Sequence, residues 1–224
     1  MREARGERVV GRKIGFTNHR MWAEYGVRAP IWGYVYDTTL GDLDGGGAFD
    51  PGGLAEPRIE PEIVFGLARA PRSGMDERAL MDCLGWVAPG FELVQSLYPG
   101  WRFRAADTVA AFALHGRLLV GERTALTLES AASWHARLAD FAVTLLRDGA
   151  VADRGVAENV LGGGPVSALR HLVEVLAQDS GSPPLAAGEV VSTGTLTRAL
   201  PIGPGERWAA AFQGLPLPGI ALST

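Results

Sequence analysis

This chain of 224 residues is poor in cysteine, in lysine and in long apolar runs. Its single cysteine, Cys83, excludes a disulfide within the chain and fits a reducing cytoplasm. A membrane-spanning helix needs about 18 consecutive apolar residues, and no such run is present. The charged start, residues 1–5, lacks the apolar segment of a signal peptide. We therefore expect a cytoplasmic protein that does not enter a membrane.

Positive charge is also scarce. The net charge is -4 and no basic cluster is visible, so nucleic acid is not an expected partner. Lysine occurs once, at Lys13, among 21 basic residues. Codon usage explains the arginine bias of the surface, but a buried lysine can also exchange a proton, which arginine cannot do. Lys13 lies in the alternating segment 9–16, between Gly11 and Gly15, which favours a strand with close backbone approach.

Glycine and proline are abundant, with 30 and 14 residues, which favours a turn-rich fold of short strands. The pattern predicts one mixed α+β domain, with a loop at 40–58 and a hairpin turn at Asp148-Gly149. The predicted strands are 9–16, 31–36, 59–67, 91–94, 141–146, 189–193 and 207–212, and the predicted helices are 17–25, 75–87, 130–138 and 166–178. The glycines at 162–164 lack the Gly-Lys-Ser/Thr ending of a phosphate loop, so we interpret them as a flexible helix entry.

The segment Glu60-Pro61-Glu62 carries the clearest chemical signal. Residues two apart on a strand point to the same face, so Glu60 and Glu62 should converge. Glu92 is another acid inside an apolar run. Buried carboxylates are costly unless they are paired, and three of them would need a cation between them. Oxygen ligands favour Mg2+ or Mn2+ over zinc, and Pro61 favours an edge or bulged strand.

Several segments together resemble the fumarylacetoacetate hydrolase superfamily, and within it the branch of 2-hydroxypentadienoate (2-oxopent-4-enoate) hydratases and 4-oxalocrotonate decarboxylases. They occur in the family's order and are Gly11-Arg12-Lys13-Ile14-Gly15, Trp32-Gly33 followed by Asp37, Glu60-x-Glu62, Phe91-Glu92-Leu93-Val94, Asp107-Thr108-Val109-Ala110 and Thr193-Gly194-Thr195-Leu196-Thr197. The resemblance implies a mixed β-roll of that superfamily's C-terminal-domain type, with flanking helices. It implies one catalytic domain over residues 1–224, although only eight residues precede Val9 where relatives carry an additional helical segment.

The resemblance also implies roles for individual residues. Glu60, Glu62 and Glu92 match the family's ligands for Mg2+ or Mn2+. Lys13 matches the lysine beside the 2-oxo acid, where it shuttles a proton or holds the developing oxyanion, and we expect burial or the metal's charge to lower its pKa. Asp37 matches a polar residue of the same pocket. Thr195 lies in a turn that is similar to the family's carboxylate-binding turn.

The chain departs from the branch at residues 111–115. Its usual Asp, Asn and Ser are replaced by Ala111, Phe112 and Leu114, which predicts a more apolar wall and a bulkier or more apolar substrate tail. His115 is a new polar residue there, interpreted either as structural or as an acid/base. Arg104 stands where the branch often has lysine, and it keeps the charge without serving as a neutral base.

The hydrolase branch places a His and a Glu on a lid helix. In this chain Glu24 matches that Glu, but Met21 stands at the position of the His. Glu24 is therefore interpreted as a candidate catalytic residue or as a solvated helix charge. The mismatch lowers the expectation of C–C bond hydrolysis.

The expected function is that of a metal-dependent lyase, most consistent with a hydratase, that acts on a 2-oxo acid or its dienol through a metal-stabilised enolate. Decarboxylation and C–C hydrolysis on the same scaffold are the alternatives, because all three reactions share one electron sink. A non-catalytic ligand-binding protein is a further alternative that converging carboxylates disfavour. The expected partner is the small 2-oxo acid, and assembly into a homo-oligomer is implied by the resemblance.

Overall fold

A computed structural model describes residues 2–43 and 47–224, apart from the side chains of Glu3 and Glu24. The α-helices are α1 (Trp22–Tyr25), α2 (Glu77–Met81), α3 (Ala105–Ala110), α4 (Leu128–Ala139) and α5 (Pro165–Gln178). The strands are β1 (Val9–Gly15), β2 (Ile31–Tyr36), β3 (Leu40–Asp42), β4 (Gly47–Ala48), β5 (Arg58–Leu67), β6 (Leu84–Val94), β7 (His115–Val120), β8 (Thr124–Ala125), β9 (Ala142–Arg147), β10 (Ala150–Val156), β11 (Val190–Ser192), β12 (Leu200–Pro201), β13 (Arg207–Gln213) and β14 (Ile220–Ser223). The expected α+β class is confirmed.

The described strands form two sheets. The larger has the order β2-β1-β11-β5-β6-β7-β3, with β12 beside β5 and β8 beside β6, and the smaller has the order β10-β9-β13-β14-β4. Parallel pairs, such as β1 with β11 and β3 with β7, occur among antiparallel ones, so the sheets are mixed. The centre of the larger sheet is the β5–β6 pair, which runs from Arg58 opposite Val94 to Leu67 opposite Leu84.

The main hydrophobic core lies between the sheets and the helices α2, α4 and α5. It contains Phe65 and Phe91 from the central pair, Leu138 and Leu169 from the helices, and Trp208 from β13, and these side chains are fully buried. Among the described residues, no helix is long and apolar enough to cross a membrane. The β5–β6 pair is packed against this core, and side chains on packed strands are positioned more precisely than those on loops.

Two expectations for the middle of the chain are wrong. The helix predicted for 75–87 is limited to α2, and the chain enters β6 already at Leu84. β6 is covered on both faces, so its apolar residues do not alternate with polar ones and resemble a helix face. The predicted loop 40–58 contains β3 and β4, and its residues 44–46 lie outside the described part of the chain.

Pro61 lies on an interior strand rather than on an edge strand. β5 pairs with β6 on one side, and with β11 at Val64–Gly66 and β12 at Arg58–Ile59 on the other. The Pro61 carbonyl accepts the Leu196 N–H, 3.1 Å away, in the gap between β11 and β12. The N–H and C=O of one residue point to the same side of an antiparallel strand, so the donor that proline lacks would face that gap. No ladder bond is lost there.

Candidate metal centre and its cavity

Glu60, Glu62 and Glu92 converge on one face of the β5–β6 pair. Glu60 and Glu62 lie two residues apart on β5 and share one face, as predicted. Glu92 on β6 is the cross-strand partner of Glu60. One carboxylate oxygen from each of the three lies within 4.8 Å of the others. Glu62 and Glu92 are fully buried. The expected meeting of the three carboxylates is therefore present in the fold.

Two of these carboxylates are each held through one oxygen. Glu62 Oε2 accepts a short hydrogen bond from the Ser192 hydroxyl and another, of 2.9 Å, from the Gly194 N–H. Glu92 Oε1 lies 2.8 Å from His115 Nδ1. The remaining oxygens are buried: Glu62 Oε1 has no hydrogen-bond donor, and Glu92 Oε2 meets only the Lys13 Nζ, 3.2 Å away. Anionic oxygens with so little compensation are costly, and a hard divalent cation would stabilise both.

The electrostatics of the cluster point the same way. Burial, reinforced by the charge of Glu92, raises the pKa of Glu60 from 4.5 to about 7, against the opposing pull of Lys13. Burial and the two neighbouring carboxylates raise the pKa of Glu62 well above its ordinary value. The pKa of Glu92 is lowered, because Lys13 and His115 outweigh the effect of its burial. The oxygen donors and their excess negative charge suit Mg2+ or Mn2+.

Lys13 extends from β1 into the same cluster. Its Nζ lies 3.2 Å from Glu92 Oε2 and donates a hydrogen bond of 3.1 Å to the Ala113 carbonyl. Burial lowers the pKa of Lys13, but the charges of Glu92, Glu60 and Glu62 outweigh it and raise the pKa. Burial alone therefore does not lower the pKa of Lys13, because three carboxylates face one ammonium group, and the expected lowering by the metal's charge stays a prediction. Lys13 is a buried cation that carries a proton at the wall of the site.

A cavity opens beside Lys13 and Glu60. Its polar end also contains Asn18 and Thr195, whereas most of its remaining wall is apolar. The apolar lining consists of Phe16, Met21, Ile31, Val94, Ala113, Leu114 and Ala199, with the rings of Tyr25 and Trp101. The expectation of an apolar wall around Leu114 therefore agrees with the geometry. Thr195 is also placed at this cavity, with its hydroxyl donating to the Thr197 carbonyl at 3.0 Å.

The wall beside Lys13 is a left-handed turn. Phe112, Ala113 and Leu114 have φ values of +56°, +54° and +63°, which L-residues seldom adopt in succession. The turn directs the Ala113 carbonyl to Lys13 and places Leu114 in the cavity. Strained backbone of this kind costs about 1–2 kcal/mol per residue and is concentrated at functional sites.

Other predicted site residues lie elsewhere. The cavity is at the Gly15–Ile31 end of the β1–β2 pair, whereas Asp37 follows the opposite end of β2. There its carboxylate accepts hydrogen bonds from the backbone N–H and Nε of Arg8, both at 3.0 Å. Arg104 is exposed at the start of α3 and is absent from the cavity lining. Asp37 and Arg104 therefore do not join the cluster in this structure.

Glu24 and His115 have different outcomes. Glu24 is part of α1, but its side chain lies outside the described part of the chain. His115 is buried and contacts Glu92, but it is absent from the cavity lining and both ring nitrogens have partners. This position favours a structural role beside the cluster over contact with substrate.

Sequence reasoning missed the residues that hold the carboxylates. Gly194 lies in the motif 193–197 and Ser192 immediately precedes it, but the motif predicts a role only for Thr195. Gly194 has φ +100°, and a Cβ there would lie 2.1 Å from the Thr17 hydroxyl oxygen, so glycine is required. Thr39, which contacts His115, belongs to a distant turn, and no local pattern relates the two.

Known proteins are similar to this chain in sequence and fold, although no family model matches it. The chain is 32% identical to the 4-oxalocrotonate decarboxylase of Pseudomonas sp. (strain CF600), over 96% of this chain and 77% of that protein. It is 30% identical to the 2-hydroxyhexa-2,4-dienoate hydratase of Comamonas testosteroni, over 96% and 78% respectively. Its structure matches that of 4-oxalocrotonate decarboxylase from Pseudomonas putida G7, complexed with magnesium and adipate, with a TM-score of 0.87, 30% identity and coverage of 99% and 80%.

More distant structures share the fold alone. Fumarylpyruvate hydrolase from Pseudomonas aeruginosa, in complex with Mn2+ and pyruvate, matches with a TM-score of 0.70 at 15% identity, over 95% of this chain and 87% of that one. A fumarylacetoacetate hydrolase family protein from Yersinia pestis CO92 also shares the fold, with a TM-score of 0.65 at 14% identity. By sequence, the chain belongs to the family of 4-oxalocrotonate decarboxylases and 2-keto-4-pentenoate hydratases.

Proposed function

We propose that this protein is a divalent-metal-dependent hydratase, a lyase that adds water to the dienol form of a 2-oxo acid. The observation that carries the proposal is the cluster of Glu60, Glu62 and Glu92 with Lys13, which lies beside a cavity with a mostly apolar wall. Relatives named as hydratases and decarboxylases, and related structures with Mg2+ or Mn2+, support the reaction class and the cofactor.

The residues divide the work between binding and proton handling. Glu60, Glu62 and Glu92 would hold the cation, which when bound supplies Lewis-acid stabilisation of negative charge on the 2-oxo end of the substrate. Lys13 bears a proton beside that end and can deliver it or stabilise an oxyanion. Thr195 lines the same cavity and would bind the substrate carboxylate, and the apolar wall around Leu114 would shield the tail from bulk water.

The cavity wall favours a substrate with an uncharged tail. Among the described lining residues, Lys13 is the only cation, and it is already paired with Glu92. The nearby Arg58 is engaged as well, since its guanidinium lies 4.0 Å from the centre of the Trp101 ring and donates to the Tyr25 hydroxyl at 3.0 Å. A second carboxylate, as in 4-oxalocrotonate, would therefore enter an apolar wall without a free cation.

Decarboxylation is the second candidate, because 4-oxalocrotonate decarboxylases are among the relatives at 32% identity. The test is to incubate the Mg2+- or Mn2+-loaded protein with 2-hydroxypentadienoate, 4-oxalocrotonate and an acylpyruvate, and to follow the products by NMR. We expect the hydration product of the first substrate with the highest kcat/KM. Faster CO2 release from 4-oxalocrotonate would favour the decarboxylase. Metal-loaded protein that turns over none of the three would refute the proposal.

We also infer a cytoplasmic location and a homo-oligomeric state. The single cysteine, Cys83, is buried and unpaired, as suits a reducing compartment. The oligomeric state can be measured by light scattering coupled to size-exclusion chromatography, and a monomer at micromolar concentration would contradict the inference. Fractionation of the source cells tests the location.

A further inference from the structure

The His115 imidazole is fixed at both of its nitrogens. A carboxylate only accepts hydrogen bonds, so Nδ1 must donate to Glu92 Oε1, which lies 2.8 Å away. Nε2 lies 3.0 Å from the Thr39 hydroxyl, which can serve as either donor or acceptor. That hydroxyl also accepts the Tyr36 N–H at 3.1 Å. A series of hydrogen bonds through Tyr36, Thr39, His115 and Glu92 thus connects the end of β2 to the cluster.

This arrangement commits one oxygen of Glu92. Oε1 is engaged by His115, and Oε2 meets only the Lys13 Nζ, 3.2 Å away. Glu62 is treated in the same way, since Ser192 and Gly194 hold Oε2 and leave Oε1 without a donor. Each of these two carboxylates therefore offers a single oxygen to the centre of the cluster.

We propose that His115 is a positioning residue which restricts Glu92 to one ligand oxygen, and that the site thereby selects a small divalent cation over Ca2+. The inference rests on the proposed metal centre. Mg2+ takes few protein oxygens in a strict octahedral arrangement, whereas Ca2+ takes more oxygens and often uses both oxygens of a carboxylate. Partners that orient a ligand typically change metal affinity 10- to 100-fold when they are removed.

His115 is placed to act on Glu92 alone. It belongs to the segment 111–115, and it is buried with an exposed fraction of 4%. It is absent from the cavity lining, so it acts through Glu92 rather than on the substrate. A space-filling role would leave the choice between cations unaffected, which makes the two roles separable.

The experiment measures Kd by calorimetry for Mg2+, Mn2+ and Ca2+ with the full chain, and needs no substrate. His115→Leu should weaken Mg2+ and Mn2+ binding 10- to 100-fold, and should weaken Ca2+ binding less, so that the Ca2+ to Mg2+ Kd ratio falls. His115→Asn keeps a donor near the Nδ1 position and should restore most of the affinity. His171→Leu, on the partly exposed surface of α5, is the matched control and should change neither value.

A second pair of variants tests the same series of hydrogen bonds at Thr39, its far end from Glu92. Thr39→Val removes the hydroxyl that holds Nε2, and Thr39→Ser retains it, so only the first should lower Mg2+ affinity. This pair decides the matter if His115→Leu fails to fold, as judged by thermal unfolding. Wild-type Mg2+ affinity in both His115→Leu and Thr39→Val, or equal losses for Mg2+ and Ca2+, would overturn the proposal. A metal-binding protein without turnover refutes the hydratase and leaves this inference standing.

Discussion

Glu60 lies directly opposite Glu92 in the antiparallel pairing of β5 with β6. Like charges at directly opposed positions of a sheet destabilise it, and here Glu62 adds a third carboxylate to the same face. The fold therefore carries a local conflict at its rigid centre. Lys13 relieves the conflict only in part, since it is one cation among three acids.

The first prediction concerns pH. With chelator present, the free energy of unfolding should fall as pH rises from about 5 to about 8. Burial raises the pKa of Glu60 from 4.5 to about 7 and also raises the pKa of Glu62, so the folded protein holds more protons than the unfolded chain in this range. Urea unfolding at several pH values measures the slope. The double variant Glu60→Gln with Glu62→Gln should flatten it, and a free energy that rises with pH would contradict the pKa shifts.

Glu62→Gln should abolish metal binding. In the presence of chelator at pH 8, it should also raise the free energy of unfolding of the protein. The Ser192 and Gly194 donors would hold the amide oxygen, which turns the amide nitrogen, a donor with no free lone pair, toward the cluster. We expect a loss of Mn2+ affinity greater than 100-fold, which exceeds the effect typical of supporting residues. Calorimetry measures the affinity, and Glu158→Gln on the exposed surface is the control. Unchanged Mn2+ affinity would refute the assignment of Glu62 as a ligand.

Lys13→Arg should lose most of the turnover although the charge is kept. The ammonium group is confined between the Ala113 carbonyl, 3.1 Å away, and Gly15, where a Cβ would approach Nζ to 3.2 Å. A guanidinium is larger and does not exchange its proton. Loss of a proton-transfer group costs about 10²- to 10⁴-fold in rate. Steady-state kinetics at saturating Mg2+ measure this loss in rate, with Arg8→Lys as the control. Near-normal turnover of Lys13→Arg would show that Lys13 does not carry the proton.

Gly194→Ala should lower both stability and metal affinity. At φ +100°, the added Cβ would collide with the Thr17 hydroxyl oxygen at 2.1 Å, and the backbone shift would withdraw the N–H that holds Glu62. Gly205→Ala is the matched control, because Gly205 has φ +77° with nothing within 4 Å of the added Cβ. The control should cost only about 1–2 kcal/mol of backbone strain. Equal effects of both substitutions on Mn2+ affinity would contradict this account of Gly194.

Much of the site could be predicted because its chemistry is local. That Glu60 and Glu62 share a face depends only on the two-residue period of a strand. The strands β1 and β2 lie at or within one residue of their predicted bounds. The position of Glu92 opposite Glu60 depends on the register between two strands separated by a long connection. Proximity in sequence does not determine that register, so the resemblance supplied what periodicity could not.

The errors have physical causes as well. An interior strand with two buried faces shows no alternation of apolar and polar residues, so residues 84–87 of β6 fall within the predicted helix. Asp37 matched a motif, but β2 runs away from the cavity and carries Asp37 to the far end of the pair. The lowering of the Lys13 pKa by burial is outweighed by the summed charge of three neighbouring carboxylates. Each error concerns a long-range relationship, which a single chain encodes only weakly.

The left-handed turn at 112–114 has a consequence for how new substrates can be acquired. It holds Lys13 through a main-chain carbonyl, that of Ala113, whereas Leu114 meets the cavity through its side chain. Exchanges at Leu114 to residues that tolerate its φ of +63°, which excludes β-branched ones, can therefore reshape the space for the substrate tail and leave the Ala113 contact to Lys13 in place. A library of such variants at this position would sample substrate range with little effect on Lys13. Substitutions that arise at this position in evolution can alter the substrate in the same way.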